Sequence, residues 1–406
     1  MVDVLTAFVL IGSILFLGYG ALKFFQRTNI PDILVLIAVG VVLGPVLRVV
    51  DAAPIDPLLN FFASVALMVI MLSAGLHFNF LNLVKNLPKS TLFAFLAYAV
   101  TVALVFLAAY FGFAWPLLPA LFLAFIISDT DPAIVYALLP NLRTDEETKV
   151  SIGVESVVSS TVSAVLGVTI LYYAASSTLS MQGALGALAS AFSVAIVAGA
   201  VAGFAWFSIL KRIADVSFAS LLTLGAAFVL YGASSLLQAN GAISVFIFGL
   251  VLGNAKTFSA ALSRGEGVEP AKEITMFQDQ IAFFVRTFFF VYVGLVLHTA
   301  LAPGAYLLGI AASVAIVASR EISVRFFGEP RHPSALLNKY VIPTGLSSLV
   351  LALLPPAGFA PGMMEAVLIV IVLTNAVTAV AVFWHQRSYQ GPVEGRPRVL
   401  TRPLKR

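Results

Sequence analysis

The sequence predicts an all-α polytopic membrane protein with about 13 transmembrane helices, built as an inverted repeat. Three observations carry that prediction. Of the 406 residues, 60% are hydrophobic and only 10% are charged, against about 25% charged in an ordinary soluble domain. The apolar residues come in runs, most of them near the roughly 20 residues that a helix needs to cross a hydrocarbon core. Lys and Arg gather in alternate loops between those runs, the pattern that orients membrane helices.

The runs lie at roughly 4–25, 31–49, 57–76, 90–111, 116–140, 148–172, 182–210, 217–237, 240–255, 279–299, 303–325, 338–356 and 361–386. Glycine and proline occur inside many of them, as membrane helices tolerate. Residues 1–386 are therefore read as one membrane transporter domain and residues 387–406 as a short, basic, cytoplasmic tail without structure of its own. The N-terminal MVDVLTAFVL lacks a basic n-region and a small-residue cleavage site, and is read as a retained first helix. Of 23 Lys and Arg residues, 20 fall in odd-numbered loops or the tail; Arg48 alone lies in an even loop, and Arg286 and Arg320 lie inside spans. The positive-inside rule then places the protein in the cell membrane with its N-terminus outside and its C-terminus in the cytoplasm.

Several function classes drop out on composition. There are no cysteines, so disulfides, thiolate chemistry and cysteine metal sites are excluded. His77, His298, His332 and His385 are scattered, with no pair at metal-ligand spacing. The net charge of +4 lies in short loops and reads as a topology signal, so no nucleic-acid partner is expected. No nucleophile–base pair, nucleotide loop or metal cluster is visible, so neither an enzyme nor a cofactor is expected.

The repeat is legible in three ordered matches. Gly40-Val-Val-Leu-Gly44-Pro45 in span 2 corresponds to Gly249-Leu-Val-Leu-Gly253-Asn254 in span 9. Gly75 near the end of span 3 corresponds to Gly294 near the end of span 10. About fifty residues beyond each of those glycines comes an interrupted helix: SDTDP in span 5 and IPTGLSS in span 12. An offset of seven spans, an odd number, makes the two copies run in opposite directions. Inverted repeats with broken helices at matching positions mark a secondary transporter whose site lies near the midplane.

Charged residues inside spans are costly and read as functional. Asp131 precedes Pro132, the preferred order for starting a helix, with an Asp cap and a Pro that has no N–H to satisfy. Asp131 is either that cap alone or, because the break lies in mid-membrane, the carboxylate of a cation site beside freed carbonyls such as that of Thr130. Asp129 is either a second ligand or a group facing the cytoplasmic vestibule. In span 6, Ser156 and Ser160 share one helix face and Ser159 and Ser163 a neighbouring one; such hydroxyls are cation ligands or small packing residues. Glu155 and Arg320 lie at similar depth, which makes an ion pair between them the expected arrangement. Arg286 has no obvious partner in sequence; Asp279, two turns away on the same helix face, is a distant one.

These residues resemble the monovalent cation:proton antiporter family of the sodium/proton exchanger type over essentially the whole of residues 1–386. IPDILVLIAVGVVLGP resembles its second span, Thr130-Asp131-Pro132 its ion-site break, and QIAFFVRTFFFVYVGL, residues 280–295, its tenth span. The resemblance implies two crossed, broken helices in a core that moves against a dimerisation subdomain, a homodimer in the lipid bilayer, and exchange of Na⁺, K⁺ or Li⁺ for H⁺ by alternating access. It implies that Asp131 is a cation ligand (monovalent cation only) with the Thr130 carbonyl and Ser156, that Glu155 pairs with Arg320, and that Thr344, Gly345 and Ser347 form the second broken helix. Two departures stand out. The family's sixth span reads Glu-Ser-x-x-Asn-Asp, with its shuttling carboxylate last; here Ser159 and Ser160 occupy the Asn-Asp places. Many relatives also carry Arg where Thr344 stands. A serine cannot exchange a proton for a cation, so that work falls to Asp131, Asp129 or Glu155.

The expected function is thus secondary exchange of a monovalent cation, Na⁺ or K⁺, for H⁺, electroneutral if one carboxylate is neutralised alternately by each. Two alternatives remain: the same fold coupled differently, as in sodium-linked uptake of an organic anion, or a channel-like or non-transporting scaffold. The first alternative needs added polar groups at both breaks, and span 12 offers little beyond Thr344, Ser347 and Ser348.

Overall fold

The computed structural model describes residues 4–28, 30–48, 56–77, 88–139, 142–175, 181–210, 212, 216–237, 239–255, 272–296, 303–327, 335–356 and 358–388. Among these residues the secondary structure is helical throughout, with no strand. The basic tail expected after residue 386 lies outside the described residues from 389 onward.

In chain order the helices are α1 (Val4–Thr28), α2 (Asp32–Val46, its last turn widened into a π segment around Pro45), α3 (Asp56–His77) and α4 (Pro88–Leu107, continued by a π turn). Span 5 is two half-helices, α5 (Leu117–Ile127) and α6 (Pro132–Leu138). There follow α7 (Glu146–Ala175), α8 (Met181–Leu210), α9 (Val216–Leu236), α10 (Gly241–Gly253), α11 (Lys272–Val296) and α12 (Pro303–Phe327). Span 12 is again split, into α13 (Ala335–Tyr340) and α14 (Leu346–Leu353), and α15 (Met363–Ser388) closes the chain. These elements fall on the 13 predicted segments. Six of them are singly long and apolar enough to cross a membrane.

One boundary differs. The tenth span was expected to begin near residue 279, and its helix begins at Lys272. The added turns, KEITMFQ, are too polar to register as a hydrocarbon crossing. They still bury one stripe, with Ile274 and Gln278 inside and Met276 exposed, and a stripe is all a helix needs.

The repeat glycines meet crosswise. Gly40 of α2 packs against Gly294 of α11, and Gly75 of α3 against Gly249 of α10. Each glycine of one copy thus meets the other copy's counterpart of its neighbour in sequence. Both crossings lie near the C-terminal ends of their helices. Because α2 and α3 run oppositely, the two crossings sit toward opposite membrane faces. A Cβ built on Gly40 would lie 2.7 Å from the Gly294 Cα and closer still to the Val291 carbonyl. Backbone this close is how membrane helices gain packing energy without a hydrophobic driving force. Gly40→Ala should therefore destabilise by about 1–3 kcal/mol through overpacking. Gly12→Ala, where nothing lies within 4 Å, should leave thermal unfolding in detergent unchanged. Equal melting temperatures for the two variants would refute the close approach.

A large apolar cluster that includes Phe122, Leu123, Ile126, Leu349, Val350 and Ile371 wraps the two broken elements. A second, with Leu72, Val245, Phe248 and Leu252, holds α3, α9, α10 and α11 together. Both breaks therefore lie against tight packing, which fixes their unpaired backbone in place.

Candidate cation site at the crossing of two broken helices

Breaking a helix frees backbone donors and acceptors that water cannot satisfy in the membrane. Here the two breaks satisfy each other. The Asp131 amide donates to the Pro343 carbonyl at 2.7 Å. The Asp131 carboxylate accepts from the Ile134 amide at 3.3 Å, capping α6, and from the Leu346 amide at 3.0 Å, capping α14. One side chain thus caps both half-helices. Pro132 begins α6 where no N–H is wanted, the arrangement its sequence suggests.

Gly345 makes this possible. A Cβ there would fall inside the Asp131 carboxyl group. Its φ of −142° lies outside the left-handed region, and what the position visibly demands is space. Three further backbone groups of residues 341–345 are served by α15. Thr378 Oγ1 accepts from the Ile342 amide at 3.1 Å, Thr374 Oγ1 from the Thr344 amide at 3.2 Å, and Asn375 Nδ2 donates to the Thr344 carbonyl at 2.8 Å. The sequence reading missed this trio. Its signal was TNAVT, polar residues at 374, 375 and 378 in an otherwise apolar span.

The two aspartates face different surroundings. Asp131 lines a funnel of about 650 Å³ that also reaches Ser160 and Ser347. At its mouth stand His77 and Asp279, 3.5 Å apart and partly exposed. Asp129 lines a small polar chamber behind the crossing, with Tyr98, Thr101, Glu155, Ser159 and Arg320. Its Oδ2 accepts from the Ser347 hydroxyl and its Oδ1 from the Ser348 hydroxyl, each at 2.8 Å. Asp129 is not among the funnel-lining residues.

The serines of α7 divide in the same way. Ser160 faces the funnel. Ser159 accepts from the Thr130 amide at 3.2 Å and thereby holds the break. Ser156 donates to the Gly153 carbonyl at 2.8 Å and is fully buried away from the funnel. Ser163 lies 3.5 Å from the carbonyl of Ile126, in the last turn of α5.

Two buried ion pairs flank the crossing. Arg320 Nη1 contacts Glu155 Oε1, with both side chains 5% exposed. Arg286, without an evident partner in sequence, has one in Asp32: its Nη2 lies 2.9 Å from Asp32 Oδ2 between α11 and α2. Asp279 pairs with His77 instead. Asp32 follows Ile30-Pro31 at the start of α2 and reads from sequence as an ordinary first-turn acid. Each pair makes its members tolerable inside a span, since an isolated buried charge costs several kcal/mol.

The arrangement has the chemistry for a hard, monovalent cation. It offers one carboxylate and several hydroxyls that open to a funnel, and oxygen donors suit such ions. Among the described residues no group of three or more His, Cys, Asp or Glu could hold a metal ion.

Comparison with known proteins points the same way. Residues 11–385 match the family described as "Sodium/hydrogen exchanger, transmembrane". The chain is 26% identical over 299 residues to the "Probable Na(+)/H(+) antiporter 2" of Methanocaldococcus jannaschii, covering 70% of this chain and 67% of that protein. It is 25% identical over 264 residues to the "K(+)/H(+) antiporter NhaP2" of Shewanella baltica, covering 62% of this chain and 45% of the relative. The aligned part thus spans about two thirds of the one and under half of the other. Its fold matches the sodium proton antiporter MjNhaP1 of Methanocaldococcus jannaschii with a TM-score of 0.73 at 20% identity, over 93% of this chain and 95% of that one.

Proposed function

The chain belongs to the sodium/hydrogen exchanger family, and on that premise we propose that it exchanges a monovalent cation, Na⁺ or K⁺, for protons across a cell membrane. The observation that carries this reading is Asp131. Its carboxylate caps two half-helices at their crossing and opens into the funnel. A cation held only by neutral oxygens would leave a bare charge in a low-dielectric site, and a carboxylate cancels it. Protons neutralise the carboxylates of the crossing equally well, so cation and proton compete, and a moving core carries either but not both. One-for-one exchange by alternating access follows, with no net charge moved.

Asp131 is the proposed ligand of the transported cation, with the Thr130 carbonyl and the hydroxyls around it; Glu155 and Arg320 are a structural pair. The Thr374, Asn375 and Thr378 contacts hold the second break, at Thr344 and Gly345, in register with the first. The names of the relatives support both Na⁺ and K⁺ as substrates. The homodimer and the division into a moving core and a dimerisation subdomain within residues 1–386 rest on the family resemblance. The reading is tested in proteoliposomes. A dye-reported pH gradient should dissipate on adding Na⁺, K⁺ or Li⁺, and no response to any of the three would refute exchange.

The orientation is likewise proposed from the Lys and Arg distribution. His77, at the funnel mouth, ends α3, and the sequence that follows carries Lys85 and Lys89, so the funnel opens to the cytoplasm. The chain is free of native cysteine, which makes labelling clean. A cysteine at Pro356 should react with an impermeant reagent added outside cells, and one at Arg212 should not. The reverse pattern overturns the topology.

A further inference from the structure

We propose that Ser160 and Ser347 supply hydroxyl ligands to the transported cation and set its selectivity, and that Asp129 is the positioning residue that presets the second of them, Ser347. The proposal rests on the exchange reading above and names the ligands of that same site.

A serine hydroxyl has one proton and two lone pairs, and it turns to suit its neighbours. An ionised carboxylate can only accept. A hydroxyl bonded to it must therefore spend its proton there, which leaves its lone pairs facing elsewhere. Asp129 receives two such hydroxyls: Ser347 and Ser348 donate from the first turn of α14 at 2.8 Å each. Of these two, Ser347 lines the funnel beside Asp131 and Ser348 does not; Ser160 of α7 lines the funnel as well. Asp129 itself is 3% exposed and lies in the chamber behind the crossing. Its charge reaches the funnel through the Ser347 hydroxyl that it orients. The Ser347 lone pairs are thus turned toward the space in front of the Asp131 carboxylate, where the Ser160 hydroxyl of α7 also stands.

Such fixed hydroxyls need no reorientation when a cation arrives, which is what makes a ligand set selective. Selectivity among alkali cations depends on the number and field strength of the oxygens that replace water. Li⁺, the smallest, depends on them most, and K⁺ least. Ser347 and Ser348 bond to one carboxylate, so a purely structural role predicts that they behave alike. The ligand role separates them.

The experiment measures the apparent KM and kcat of full-length protein for Li⁺, Na⁺ and K⁺ in proteoliposomes. Ser160→Ala and Ser347→Ala should each raise the apparent KM for Li⁺ and Na⁺ about tenfold, the scale of one hydrogen-bond-strength contact to a charge. Their kcat should change little, and the preference should move toward K⁺. Ser348→Ala should leave the order of preference unchanged. Ser347→Thr, which keeps the hydroxyl, should restore it. Asp129→Asn should shift the preference in the same direction as Ser347→Ala, because the amide has lost the charge and one of the two acceptors that draw the serine protons away from the funnel. If Asp129→Asn does not fold, the serine variants decide. Loss of function that is equal in all three serine variants, or an unchanged preference in Ser160→Ala and Ser347→Ala, overturns the proposal while leaving exchange intact. A wild-type protein that exchanges none of the cations overturns the underlying reading and the proposal with it.

Discussion

Asp131→Asn should abolish cation-driven proton movement in proteoliposomes. The substitution keeps the size of the side chain and one oxygen acceptor. The Leu346 or the Ile134 amide can therefore still be capped, and the protein should remain folded. What goes is the negative charge. A cation entering the funnel would then meet only neutral oxygens, and an uncompensated charge in a buried site costs several kcal/mol. Each ~1.4 kcal/mol is tenfold in affinity, so cation affinity should fall by about two orders of magnitude or more. The measurement pairs the dye-reported pH gradient with the protein's melting temperature. A near-native melting temperature with no exchange is the expected result. Exchange at the wild-type rate would show that Asp131 is a helix cap and nothing more, and would move the search to Asp129 or Glu155.

Removing one member of the Glu155–Arg320 pair should destabilise the protein by about 3–5 kcal/mol, because the other is left charged and buried. Both side chains are 5% exposed, so water offers little relief. Replacing both by apolar residues of similar size should cost less than the sum of the single losses, since neither then leaves an orphan charge. Glu155→Met, Arg320→Met and the double variant, unfolded in mixed detergent micelles, complete the cycle. Additive losses would show that the two side chains do not interact. The pair lines the chamber that holds Asp129, so loss of Arg320 should also weaken cation exchange in whatever protein still folds.

Much of the architecture is written locally. Span number and limits follow from hydropathy over about twenty residues, because the bilayer demands a full apolar crossing whatever lies beside it. The break at Asp131-Pro132 is equally local, since an Asp cap and a Pro without an N–H start a helix wherever they stand. The inverted order of the glycine matches and the two interrupted spans followed from pattern alone. The polar start of α11 escaped because amphipathic turns outside the hydrocarbon carry no such demand.

The assignment of tasks within the crossing was decided only by tertiary structure. Asp129 and Asp131 are two residues apart and chemically identical in sequence. One opens to the funnel and the other is held behind it by Ser347 and Ser348, because the break turns their side chains to different sides. Arg286 finds Asp32, and Thr344 finds Thr374 and Asn375, across long stretches of chain. Helix capping and hydropathy act over a few bonds or along one helix. A buried charge or a freed carbonyl only requires some partner. Packing rotates each helix about its axis, and that rotation selects which partner it is.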